Sequence, residues 1–388
     1  MAAPLTTSTL QRRIARPSVT TSTRTLRLLN VLLVNIALVT FVVGTAWDIQ
    51  WHVAVGRDRV LTPPHVMMLG GIIVSGLVSL LGVLWESWQV WRGNAQVREQ
   101  TTRVLGLFYA PIGMIAAGTG ALLAGIAFPL DDYWHTLYGI DVTLWAPFHV
   151  MIIMSMVLVG LGALITVAAE MNRASDHAKV WLQLAFAATV AIIFSTLLLL
   201  LPQANTADGL VQIGGYDVVL YPILVASTLP IALMTVALVT HLPGAATLLA
   251  VIFLALRQAI YWFVPWAVTT TAAAEGLAFR PNPPEEVITA FAYPTAILFA
   301  ALVIDAVLLL LRHRNQERAW LLMLVGTGTA VLATFWDQPW ARALVQYHFP
   351  ELNVAGVFFN ALPLTILGAL AGVGCAVVLS RGLAAVRR

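Results

Sequence analysis

Residues 148–169 read Phe-His-Val-Met-Ile-Ile-Met-Ser-Met-Val-Leu-Val-Gly-Leu-Gly-Ala-Leu-Ile-Thr-Val-Ala-Ala, 22 positions without Asp, Glu, Lys or Arg. A helix of that length and character crosses the ~30 Å hydrocarbon core of a bilayer. In lipid a continuous apolar run must satisfy its own backbone groups, which a helix does. Strands of a membrane β-barrel alternate in character over shorter stretches. Working outward, comparable runs occupy 27–47, 66–91, 104–128, 179–201, 219–240, 244–268, 287–311, 318–335 and 355–380. The expected fold is all-α, a polytopic integral membrane helical bundle of about ten transmembrane helices. Only His241-Leu242-Pro243 separates 219–240 from 244–268, and 336–354 reads as an outer loop.

Composition agrees. The 388 residues are 60% hydrophobic and 10% charged, with mean hydropathy +0.86. Soluble domains carry about 25% charged residues, so an ordinary soluble globule is excluded. One cysteine, Cys375, excludes a disulfide scaffold. Most basic residues fall in loops on one side: Arg12, Arg13, Arg16, Arg24 and Arg27, then Arg92, Arg98 and Arg103, then Arg173 and Lys179, then Arg312, Arg314 and Arg318, then Arg381, Arg387 and Arg388; the opposite side has only Arg57, Arg59, Arg280 and Arg342. The positive-inside rule makes that side the cytoplasm and puts both termini there, in a multi-pass protein of the cell membrane. Such scattered charges mark topology and predict no nucleic-acid partner; the lipid bilayer is the expected one. Three segments follow: a disordered cytoplasmic tail at 1–26, a repeated span–loop–span region at 27–170, and further transmembrane helices of unassigned role at 171–388.

Two hairpins on the outer side repeat one pattern. The first reads Asp48-Ile49-Gln50-Trp51-His52, then Gly56-Arg57-Asp58, then Pro63-Pro64-His65-Val66-Met67. The second reads Asp131-Asp132-Tyr133-Trp134-His135, then Gly139-Ile140-Asp141, then Pro147-Phe148-His149-Val150-Met151. Four of the eight histidines of the chain lie in this repeat. Asp48 and His52 are four residues apart, as are Asp131 and His135, so each pair shares a helical face if the helix continues past the membrane edge. The glycine then ends the helix and the proline starts the next. His65 and His149 fall in the first turns of the returning helices, where they can meet the Asp and His of the outgoing ones. An Asp with two His is a sufficient ligand set for a divalent transition metal with open positions. The candidate ligands are therefore Asp48, His52 and His65 at one corner, and Asp131, His135 and His149 at the other, both on the extracytoplasmic side. Asp58, Asp132 and Asp141 are candidates to orient ring N–H groups. Trp47, Trp51, Trp134, Tyr133 and Trp145 read as an interfacial belt.

These spacings resemble the membrane C subunit of copper membrane monooxygenases, the particulate methane and ammonia monooxygenase family. That subunit carries an Asp-x3-His-x12-His copper site and an Asn-x3-His-x13-His site. Asp48, His52 and His65 match the first pattern; His135 and His149 match the second, with Asp131 where the family has Asn. The match covers roughly residues 40–170, and the spans after it have no counterpart in that subunit. The resemblance implies copper at both corners, with Asp48, His52 and His65 as the open catalytic site for oxygen activation. It implies other membrane subunits and an extracytoplasmic cupredoxin-like electron or copper donor as partners, and a small substrate such as ammonia or a hydrocarbon.

Other readings compete. The donor set also accepts zinc or iron. A bis-histidine haem protein would use His65 and His149, and leave the paired Asp residues unexplained. A transporter or metal-handling permease would use Arg257 and Asp305 inside the membrane. Glu86, near the end of the second run, is expected to snorkel.

Overall fold

The computed structural model describes residues 21–56, 61–139, 143–174, 176–314, 319–348 and 350–386. The first part runs α1 Thr21–Ala54, α2 Pro63–Trp91, a short α3 Ala95–Glu99, hairpin β1 Thr102–Val104 and β2 Phe108–Ala110, α4 Ile112–Tyr138 and α5 Pro147–Arg173. Then come α6 Asp176–Leu197 with a 3-10 extension to Asn205, hairpin β3 Leu210–Ile213 and β4 Tyr216–Val219, α7 Tyr221–Thr240 and α8 Ala245–Ala274. The chain closes with α9 Ile288–Ala292, α10 Ile297–His313, α11 Ala319–His348, α12 Val354–Asn360 and α13 Leu362–Ala385. The protein is thus an all-α polytopic membrane bundle. Among the described residues nine helices are long and apolar enough to cross a bilayer.

The differences from the expected ten spans have local causes. The run 287–311 is two helices, because Pro294 holds Tyr293 in extended backbone (φ −72°, ψ 134°) between α9 and α10. Residues 104–110, which read as the start of a span, belong instead to a two-stranded hairpin over 102–110, with Leu105 and Gly106 at positive φ in its turn. The weak boundary near 241 is real: His241 adopts the left-handed conformation (φ 54°) and ends α7. The expected loop after 335 is helical, since α11 continues to His348. Helix α1 begins at Thr21, six residues before the expected start.

Two helical hairpins, α1–α2 and α4–α5, pack into a four-helix unit, with α6 and α8 against α1. Glycines let α4 and α5 meet closely: a Cβ on Gly113 would strike the Gly162 carbonyl, and one on Gly162 would strike the Gly113 carbonyl. Asn172 Nδ2 donates to the carbonyls of Leu383 and Val386 at 2.8 and 2.9 Å. Since the end of α5 also holds the start of α1, the described ends of the chain lie on one face of the bundle.

Candidate metal centre

At both corners the helices stop and restart where the spacing predicts. Helix α1 carries Asp48 and His52 on its last turns and reaches Gly56, whose φ is +77°. Helix α4 carries Asp131 and His135 and ends at Gly139, φ +88°. A left-handed φ suits glycine and stops a helix there. Prolines 63, 64 and 147 occupy the first turns of α2 and α5, where a missing N–H costs nothing. Residues 57–60 and 140–142, with Asp58 and Asp141, lie outside the described residues. Asp132 is exposed.

At the second corner one carboxylate oxygen meets both rings. Asp131 Oδ2 is 3.4 Å from His149 Nε2 and 3.9 Å from His135 Nε2. The two rings stand nearly perpendicular, centroids 5.8 Å apart. His149 Nδ1 donates to the Thr143 carbonyl at 2.9 Å. A carbonyl only accepts, so the ring proton sits on Nδ1, and in the neutral ring Nε2 presents a lone pair to Asp131. Two lone pairs at that distance repel unless a proton or a metal ion lies between them. The second Asp131 oxygen, Oδ1, is buried and accepts no hydrogen bond among the described residues. Donors about 2.1 Å from one ion in a tetrahedron stand about 3.4 Å apart. Asp131, His135 and His149 approach this, with donor atoms all within 4.8 Å of one another, and they are the one such set among the described residues.

At the first corner the carboxylate stands between the rings. Asp48 Oδ2 is 3.4 Å from His52 Nδ1, while Asp48 Oδ1 is 3.2 Å from His65 Nε2. The ring centroids are 6.2 Å apart and tilted by 38°. His52 Nδ1 also donates to the Asp48 backbone carbonyl at 2.9 Å, so its proton too sits on Nδ1. The nitrogen left to bind a metal is Nε2, not the one that faces Asp48. The structure therefore brings Asp48, His52 and His65 around one carboxylate without converging them as tightly as the second set.

The corners are neighbours. His65 lies edge-on to Phe128 of α4, centroids 5.4 Å apart, three residues before Asp131. The later helices cover the first corner. Gln50 Nε2 donates to the carbonyls of Pro284 and Glu286 at 3.5 and 3.3 Å, and its Oε1 accepts from Ile288 N at 3.1 Å. Arg280 N donates to the Ala54 carbonyl at 2.8 Å. The segment between α8 and α9 is thereby fastened over the end of α1, which gives part of 171–388 a role. Trp51 is fully buried and Trp47 packs edge-on to Phe263 of α8, so neither belongs to a surface belt.

Sequence reasoning missed what lies at the other end of the same helices. Arg27 is completely buried and grips both oxygens of Glu86, Nε at 2.6 Å and Nη2 at 2.7 Å. Its Nη1 donates to Glu170 at 3.0 Å and to Gln100 at 2.8 Å. Arg173 donates to the same Glu170 and Gln100 oxygens, at 2.9 and 2.7 Å. Glu86 does not snorkel: a bidentate partner at its own depth holds it inside. The signal was in the sequence. Glu86 follows His65 by 21 residues, as Glu170 follows His149. Asp48 likewise follows Arg27 by 21 residues, about 32 Å of helix and close to the hydrocarbon thickness. Clamp and corners thus sit at opposite membrane boundaries.

Arg257 and Asp305 do not pair. Asp305 accepts from Ala246 N, Thr247 N and Thr247 Oγ1, capping the start of α8. Arg257 Nε donates to the Ala290 carbonyl at 2.7 Å. Each group thus binds the backbone of a neighbouring helix. No known protein family, characterised protein or solved structure matches this chain.

Proposed function

We propose that this protein is the membrane metal-binding subunit of an oxidoreductase that holds copper at the outer corners, as a component of a monooxygenase acting on a small substrate such as ammonia or a hydrocarbon. The observation that carries the reading is the convergence of His135 Nε2 and His149 Nε2 on Asp131 Oδ2, in a corner that the chain repeats at Asp48, His52 and His65. Asp131 supplies charge and an open lone pair, and the Thr143 carbonyl holds the His149 ring in the tautomer a metal needs. Copper, when bound, supplies one-electron chemistry and an open coordination position. At the first corner Asp48 Oδ1 and His65 Nε2, 3.2 Å apart, would with His52 hold the second ion. The position at the membrane rim suits a substrate that arrives from lipid. Electrons would come from partner subunits or an extracytoplasmic cupredoxin-like protein, since the described chain is helical throughout the membrane and carries no comparable domain among the described residues.

The test is the metal content and spectrum of the purified protein. Copper bound in wild type, removed from one site by His135→Ala and from the other by His52→Ala, supports the reading. A haem absorption band, or zinc retained with no copper after loading with both, refutes it.

A further inference from the structure

Helix α1 carries a second feature on the side that meets α6. A cavity of about 620 Å³ lies between α1, the end of α5 and α6. Its walls include Leu28, Val31, Ala185 and Ile192. It opens sideways, past Leu32 and Ile36, each 54% exposed, and past Trp181, 74% exposed. The lining residues of α1 run from Arg24 to Thr40, about 24 Å of helix. That length starts one turn outside the buried clamp and passes the bilayer midplane, about 15 Å down.

A cation stands at the mouth. Arg24 is 30% exposed; its one ionic contact among the described residues is Glu170 Oε2 at 3.8 Å. Its Nε is buried and finds no hydrogen-bond acceptor among the described residues. Arg27, one turn further in, directs all three nitrogens to Glu86, Glu170 and Gln100. Arg24 therefore keeps a planar set of N–H donors in reserve at the depth of lipid headgroups. Exposed Lys179 follows Ala178 at the same rim, and the Trp181 ring suits an interfacial position.

We propose that this groove holds one phospholipid of the adjoining leaflet, with an acyl chain between α1 and α6 and an anionic headgroup phosphate on Arg24. Three features select that occupant. The walls are apolar over more than a leaflet's depth, the opening faces hydrocarbon, and the single charged lining group is a guanidinium whose fork matches phosphate oxygens. The site is independent of the metal corners, which lie at the other membrane boundary.

The test uses the full chain in nanodiscs of equal phosphatidylglycerol and phosphatidylcholine, released and read by native mass spectrometry. Wild type should retain phosphatidylglycerol in preference to phosphatidylcholine. Arg24→Gln should lower that preference about fivefold, the effect of one cation on an anionic lipid. Ala185→Phe, which fills the groove, should lower retention of both lipids. Arg92→Gln, on the same side of the membrane but away from the groove, should change neither. Unchanged preference in Arg24→Gln, unchanged retention in Ala185→Phe, or an equal loss in Arg92→Gln overturns the proposal. Thermal unfolding of each variant in the same discs separates lost binding from lost folding, and Arg24→Lys, which keeps the charge, should retain most of the preference.

Discussion

The two outer corners share residue types, spacing and helical framework, yet they differ in what faces what. At Asp131 one carboxylate oxygen meets two Nε2 atoms; at Asp48 two oxygens point to two different rings. The second arrangement spreads the donors and the first gathers them. The difference teaches that a repeated motif sets which groups reach a corner, while helix separation and backbone acceptors set whether they converge. Glycines bring both pairs of helices close, Gly71 against the Ala37 carbonyl and Gly113 against the Gly162 carbonyl, but at the second corner the Thr143 carbonyl turns the His149 ring. At the first corner His52 is turned by its own helix, through the Asp48 carbonyl.

The largest expected effect breaks what joins the copies. Glu86 and Glu170 occupy equivalent places in the repeat and both bind Arg27. Arg27→Met leaves two buried carboxylates without their shared partner, and should cost about 3–5 kcal/mol, measured by thermal unfolding in detergent. Double substitution of Arg27→Met with Glu86→Gln should recover part of that loss. If Arg27→Met alone unfolds like wild type, the clamp does not hold the hairpins together.

Next comes a change that acts on one corner only. Gly162→Val drives a side chain into the Gly113 carbonyl, and overpacking of this kind costs about 1–3 kcal/mol. Metal bound at the second corner should fall while that at the first stays, read as copper stoichiometry with and without His52→Ala. Equal loss at both corners would mean that the glycine contact has no special part in convergence.

A finer comparison tests charge. A carboxylate ligand is charged and the amide that replaces it is neutral, so the substitution removes direct attraction for a cation. Asp131→Asn should therefore weaken metal binding at its corner about tenfold. Asp48→Asn should weaken the first corner less, because its oxygens are directed to separate rings. Competition with a chelator of known affinity measures both, and the reverse order would overturn the contrast between the corners.

The smallest effect concerns the cover. Gln50→Ala removes two hydrogen bonds to the segment between α8 and α9 and one to the first residue of α9, each worth about 1 kcal/mol or less net. Faster modification of His52 by diethyl pyrocarbonate, with His135 unchanged, is the expected result. An unchanged rate at His52 would show that the segment does not shield the first corner.

Most of the helical architecture was legible in the sequence because lipid leaves few choices. A long apolar run must close its own hydrogen bonds, and Gly56, Gly139, Pro63 and Pro147 mark where helices stop and restart. That Asp48 shares a helical face with His52, and Asp131 with His135, was legible as well, since i to i+4 spacing before a glycine fixes a shared face. The break at Pro294 and the hairpin at 102–110 were hidden by hydropathy, which does not report φ. Glu86 was misjudged because its partner Arg27 lies 59 residues away in sequence.

The sequence by itself determined that this chain is a stack of membrane helices with two like-built corners, because periodicity and turn chemistry act between near neighbours. Only the tertiary structure decided that one corner gathers its donors and the other spreads them, that Arg27 ties both copies together at the far boundary, and that Asp305 caps a helix. Each of those depends on how close two helices approach and at what rotation, which packing between distant segments sets.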